Sequence, residues 1–106
     1  MKKVHEFEIA PKTIAGKIGS VDAFDAIEEE MQAGVRIVKK NSDVPTRPHK
    51  HPEKQLIYVV EGIAEITNKE VTFNLKPGDI VFLESNEEHY VKTGDSEIKV
   101  FEIKYP

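Results

Sequence analysis

The chain has 106 residues, 32% of them charged, with 19 acids against 15 bases for a formal charge of −4. That length fits one domain around one core, and the mixed charge, lacking a basic block or interleaved aromatics, argues against a nucleic-acid partner. The absence of cysteine excludes disulfides and thiolate ligands, leaving N and O donors for any metal. No apolar segment reaches membrane-spanning length. The N-terminus, Met1-Lys2-Lys3-Val4-His5-Glu6, turns acidic before an apolar run forms, which argues against a signal peptide. The expectation is a cytoplasmic protein with no membrane partner.

Residues 1–33 are expected to form an N-terminal extension that packs on, or pairs with, a β domain spanning 34–106. Val4, Phe7 and Ile9 suit an edge strand. Val21, Phe24, Ile27 and Met31 recur at near-helical spacing behind Ser20 or Asp22 as a cap, which suits a short helix, and Glu28-Glu29-Glu30 reads as a solvated face. From Gly34 onward short β segments follow one another. Val35-Arg36-Ile37-Val38 is β-rich and ends in a polar Asn41-Ser42-Asp43 turn. Leu56-Ile57-Tyr58-Val59-Val60 is apolar on both faces, and Glu61-Gly62 turns it into Ile63-Ala64-Glu65-Ile66-Thr67. After Asn68-Lys69, Val71-Thr72-Phe73-Asn74-Leu75 alternates. Lys76-Pro77-Gly78-Asp79 carries a type II turn signature, with Asp79 as its cap, and Ile80-Val81-Phe82-Leu83 follows. Gly94-Asp95-Ser96 separates a strand near His89 from Glu97-Ile98-Lys99-Val100-Phe101-Glu102-Ile103. Many short strands joined by turns point to an all-β sandwich or barrel.

Three of the four histidines stand out against this background. His49 and His51 are two apart, so an extended backbone aims both at one point, and the same parity carries Gln55, Ile57 and Val59 inward. His89 lies beyond the Pro77-Gly78-Asp79 bend. His-x-His, Gln55 and Gly62, followed by Gly78, Asp79 and a distant His89, is similar to the two motifs of the cupin superfamily, over about residues 34 to 105. Gln55 stands where the common pattern has Glu. Glu84-Ser85-Asn86 replaces Pro-x-Gly, and Thr93 stands where Asn is frequent.

The resemblance implies a single-domain double-stranded β-helix, a jelly-roll barrel of the small conserved-barrel type. It also implies one divalent transition metal per chain, held by His49, His51, Gln55 and His89. Three imidazoles and an amide make an uncharged ligand set suited to Fe, Mn, Ni, Zn or Cu; Glu53 is a competing ligand. Small cupins similar to this one often place a basic residue where Arg36 stands and a polar, reactive one near Glu102. The resemblance therefore implies that Arg36 anchors a substrate anion and that Glu102, if inward, acts as general acid or base. His5 is expected on the surface. The outward residues Leu56, Tyr58 and Val60 form an apolar face that suits a homodimer, unless the N-terminal third covers it.

The favoured reading is a metal-dependent enzyme with isomerase or lyase chemistry on an oxygen-rich small molecule such as a sugar acid or keto acid. A dioxygen-dependent oxygenase ranks behind it, because three histidines depart from the two-histidine, one-carboxylate triad. A non-catalytic module binding a small molecule or metal is the reading from a different class.

Overall fold

The computed structural model describes residues 1–106. Ten strands form two antiparallel sheets: β1 Lys12–Ala15, β2 Ser20–Glu28, β3 Gln32–Val38, β4 Asp43–Val44, β5 Lys54–Glu61, β6 Ala64–Thr67, β7 Thr72–Leu75, β8 Ile80–Leu83, β9 Tyr90–Lys92 and β10 Ile98–Tyr105. One sheet has the order β1-β2-β3-β10-β5-β8 and the other β4-β9-β6-β7. From β3 onward the chain passes repeatedly between the sheets, which is the jelly-roll arrangement. No helix is long and apolar enough to cross a membrane.

Two-residue periodicity explains which side chains meet inside. Val21, Val38, Ile57, Val59, Ile98 and Val100 of the larger sheet pack against Val44, Ile66 and Leu75 of the smaller one in a single buried cluster. Val59 and Ile98 are fully buried. All but Leu75 are β-branched, which suits a pleated surface, and truncating Ile57, Ile66 or Ile98 to alanine costs about 2–5 kcal/mol.

Two expectations are corrected. The segment expected as a helix, Val21 to Met31, is instead β2 followed by an exposed turn. Its apolar residues are not on one stripe: Val21 and Ala23 face the interior, while Phe24 faces out and meets Phe7 edge-on at 5.8 Å. Cover on both faces makes a strand the better solution, and a register shift between Asp25 and Ile27 disguises its alternation. Val4 to Ile9 is not an edge strand. Glu6–Glu8 forms a 3-10 turn, with the exposed His5 accepting a hydrogen bond from Phe7 N through Nδ1.

The turns follow their residues closely. Gly62 has φ +86 and sits where a Cβ would fall 2.4 Å from Glu97 O; only glycine fits there. Asp79 accepts a hydrogen bond from Lys76 N at 2.9 Å, capping the Pro-Gly bend. Asn86 is left-handed at φ 59, a conformation asparagine tolerates better than most residues. Thr93 is buried, accepts from Ser42 N at 3.0 Å and donates to Lys39 O at 2.6 Å. Its hydroxyl thus ties the end of β9 to the loop after β3, supplying both a donor and an acceptor as asparagine would.

Candidate metal centre

His49 and His51 enter β5 from the preceding loop, and His89 stands immediately before β9. Backbone bonds sew these two stretches together: Asn86 N donates to His51 O at 2.7 Å, and His89 N to His49 O at 3.3 Å. The buried Tyr90 adds a third tie, its hydroxyl accepting from His49 N at 3.3 Å. Ring centroids are then 5.4 Å apart for His49–His51, 4.8 Å for His49–His89 and 5.3 Å for His51–His89. One nitrogen of each ring lies within 4.8 Å of the other two.

Hydrogen bonds assign the tautomers. His51 Nδ1 is 2.9 Å from Glu53 O, and His89 Nδ1 is 2.8 Å from Glu87 O. A carbonyl only accepts, so in the neutral rings Nδ1 carries the proton and Nε2 presents a lone pair, the usual preparation of a histidine ligand. The Glu53 carboxylate also lies beside His51 Nδ1, at 3.4 Å. It supports the ring from behind and does not compete as a ligand.

Gln55 is buried at the heart of the group. Its Nε2–H donates to Glu102 Oε1, which turns its carbonyl oxygen toward His51. There Gln55 Oε1 and His51 Nε2 stand 2.9 Å apart. With the His51 proton on Nδ1, two lone pairs face each other at that distance. Such repulsion is relieved when a cation accepts both, so this donor set fits a metal ion.

Behind Gln55 runs a chain of buried charge. Arg36 Nε is 3.2 Å from Glu102 Oε2, and Arg36 Nη1 is 2.7 Å from Asp25 Oδ1. Asp25 Oδ1 has no aligned hydrogen bond, so that contact acts through charge, while Asp25 Oδ2 accepts from Gln32 Nε2 at 3.2 Å. Gly34 makes the approach possible: a Cβ there would meet Phe24 O at 2.2 Å and Asp25 Oδ1 at 2.9 Å. Glu102 therefore faces inward with Ile98 and Val100. Arg36, expected to hold a substrate anion, already has a carboxylate on two sides.

These groups line a cavity of about 110 Å³ whose polar end carries His49, His89, Gln55 and Glu102 and whose opposite wall is aliphatic. A wider, open groove of about 720 Å³ runs past Glu65, Asn74, Lys76 and Lys92. It holds none of the three histidines, so volume alone does not locate the chemistry.

The structure thus brings together His49, His51, Gln55, His89, Arg36 and Glu102. Sequence reasoning missed Asp25, whose parity with Val21 and Ala23 becomes visible only once the segment is read as a strand. It also missed Lys104, which shares the parity of Glu102 and lines the same cavity.

A jelly-roll barrel with three converging imidazoles at the mouth of its hydrophobic interior defines a class of small-molecule and metal-binding domains. Residues 34–104 match the cupin domain family, and the chain belongs to it. The fold is similar to a predicted oxalate decarboxylase from Thermotoga maritima (TM-score 0.85, 20% identity, 98% of each chain covered). It also resembles the polyketide cyclase RemF from Streptomyces resistomycificus (TM-score 0.79, 22% identity, 98% of this chain and 78% of that one). An RmlC-like cupin from Shewanella frigidimarina gives a TM-score of 0.81 at 19% identity, with 97% of this chain and 88% of that one covered. At these identities the likeness establishes the fold alone. No curated protein matches the chain by sequence.

Burial pulls the His49 imidazole from 6.5 down to about 4, with repulsion from His89, His51 and Lys104 adding to it. His89 is also held below its ordinary value, chiefly by burial, against the raising effect of its bond to Glu87. His49 is thus neutral in the fold and more easily protonated when unfolded. The resulting stabilisation is complete above about pH 6.5 and is lost as pH falls toward 4. The urea midpoint of the metal-free protein should drop between these limits, and His49→Gln should flatten part of the drop. A variant as pH-sensitive as the parent would assign the effect to other groups.

Proposed function

We propose that this cupin is a metal-dependent enzyme that moves a proton on a small oxygen-rich acid, as an isomerase or lyase does. The observation that carries the reading is the pair of facing acceptors, His51 Nε2 and Gln55 Oε1, 2.9 Å apart beside the other two imidazoles. His49, His51, His89 and Gln55 would hold one divalent ion, from among Fe, Mn, Ni, Zn and Cu. When bound, the ion supplies Lewis acidity to a carbonyl or carboxylate oxygen.

The chain's own residues account for the rest. Glu102 is the one carboxylate in the cavity lining. Its Oε2 faces Arg36 and its Oε1 accepts from Gln55 Nε2, so a substrate proton would go to the lone pair that Oε1 retains. Arg36 holds that carboxylate in place and is itself fixed by Asp25, so we assign it a positioning role. Val38, Val44, Ile57, Leu75 and Ile98 make much of the remaining lining apolar. A volume near 110 Å³ is roughly that of four water molecules at ~30 Å³ each, which confines the substrate to a few heavy atoms. A sensor or storage module would share the metal but would not need an acid–base residue beside it.

The outer face of the larger sheet suits a second copy of the chain. Cross-strand pairing sets Val35, Phe101, Tyr58 and Ile80 in one row and Leu56 and Phe82 in the next. Phe82 is 64% exposed. The N-terminal turn reaches only one end of this surface, where Phe7 meets Phe24 and Glu6 pairs with Lys99, leaving Tyr58, Ile80 and Phe82 for a two-fold partner.

Protein purified without added metal should contain about one divalent ion per chain by elemental analysis, and His51→Ala should contain none while keeping a β-sheet circular dichroism spectrum; unchanged metal content in that variant would sink the site. Metal-loaded protein should exchange the C3 protons of a small 2-keto acid with deuterium in an NMR assay. Glu102→Gln should slow that exchange by about 100-fold or more. Equal rates would leave Glu102 without a role in proton transfer and favour the storage reading. In sedimentation velocity the protein should run as a dimer and Phe82→Asp as a monomer, whereas a monomeric parent would remove the second copy.

A further inference from the structure

We infer that Lys104 is the anion anchor of this cavity and that the ligand is a small dicarboxylate, one end at the histidine group and the other on the lysine. The inference rests on the metal reading above and extends it to the class of substrate.

Placement comes first. Lys104 pairs across the sheet with Gln55 on one side and Gln32 on the other, and cross-strand partners share a face. Since Gln55 is inward, the base of Lys104 is inward too, and the side chain lines the cavity with His49, His89 and Gln55.

Availability comes second. The cavity has two basic side chains in its wall, Arg36 and Lys104. Arg36 is spent on Asp25 and Glu102. Lys104, half-buried, makes no side-chain hydrogen bond or ion pair. Glu29, Glu30 and Glu53 share an outer depression with it, yet none lies in an ion pair with its ammonium. A lysine left unpaired among three acids, with its stem along the cavity, is free to receive a carboxylate from within.

Charge comes third. Asp25, Arg36 and Glu102 sum to one negative charge, and Lys104 brings the interior to zero. The ligands His49, His51, His89 and Gln55 are neutral, so a divalent ion leaves two uncompensated positive charges. A dianion balances them, and the acidic rim outside makes an inner cation necessary to draw one in. The aliphatic wall favours a short carbon spacer between the two carboxylates.

The test uses the cobalt(II)-loaded full chain, with malonate and acetate as probes and the cobalt d–d absorption as the readout. Lys104→Met should take up one cobalt with unchanged affinity and bind acetate as the parent does. Its malonate affinity should fall about tenfold, or ~1.4 kcal/mol, and Lys104→Arg should restore most of it. Malonate bound equally by Lys104→Met and the parent would overturn the assignment. So would loss of cobalt from Lys104→Met, which would make the lysine a structural residue. A parent that takes up no cobalt would overturn the metal reading itself and this inference with it.

Discussion

The cavity of this protein is organised around one guanidinium that water barely reaches. Arg36 is buried between Glu102 and Asp25 on the inner face of the larger sheet. A buried ion carries a desolvation cost of several kcal/mol and is tolerated only when its partners are well placed. Every other element of the site follows from meeting that condition. Asp25 must come close, so Gly34 has no side chain, and β2 must lie beside β3 to deliver it. Glu102 must turn inward, which fixes the parity of β10 and carries Lys104 to the cavity.

That dependence explains why the first third of the chain matters to a site whose histidines all lie later. The family match begins at residue 34, yet the far end of the charge chain is Asp25, on β2. β1 and β2 extend the larger sheet, and β2 covers an edge of β3 that would otherwise be open. The extension is therefore part of the cavity's electrostatics as well as its packing.

The barrel strands were legible because turn residues and two-residue alternation agree: Gly62, Pro77-Gly78 and Gly94 bracket the apolar runs. The histidine group was legible because its members are sequence neighbours on one parity or follow a recognisable bend. What stayed hidden is what depends on pairing partners. Val21, Phe24 and Ile27 mimic helical spacing because a register shift after Asp25 breaks their alternation, and both faces of β2 find cover. The direction of Glu102 could not be read from a strand flanked by Lys99 and Lys104; the buried arginine on the neighbouring strand, β3, decides it. The pairing of Arg36 with Asp25 stayed hidden for the same reason, since nothing local marks one as the partner of the other.

Gln55 is best understood together with Glu102. The common motif has a carboxylate at position 55, where it would neutralise part of the metal's charge directly. Here the carboxylate stands one layer further back, and the amide of Gln55 lies between, donating to Glu102 and offering its oxygen toward His51. A glutamate at 55 would set two carboxylates against each other in a buried space, with Arg36 already shared, and like charges that close disfavour joint ionisation. The amide avoids this conflict and keeps the ligand set neutral. It also passes the influence of the buried carboxylate to the site through a hydrogen bond that polarises the carbonyl oxygen. The exchange of Glu for Gln and the inward acid on β10 are thus two halves of one arrangement: the negative charge is retained, but one layer behind the three imidazoles, so an ion held there would keep more of its charge.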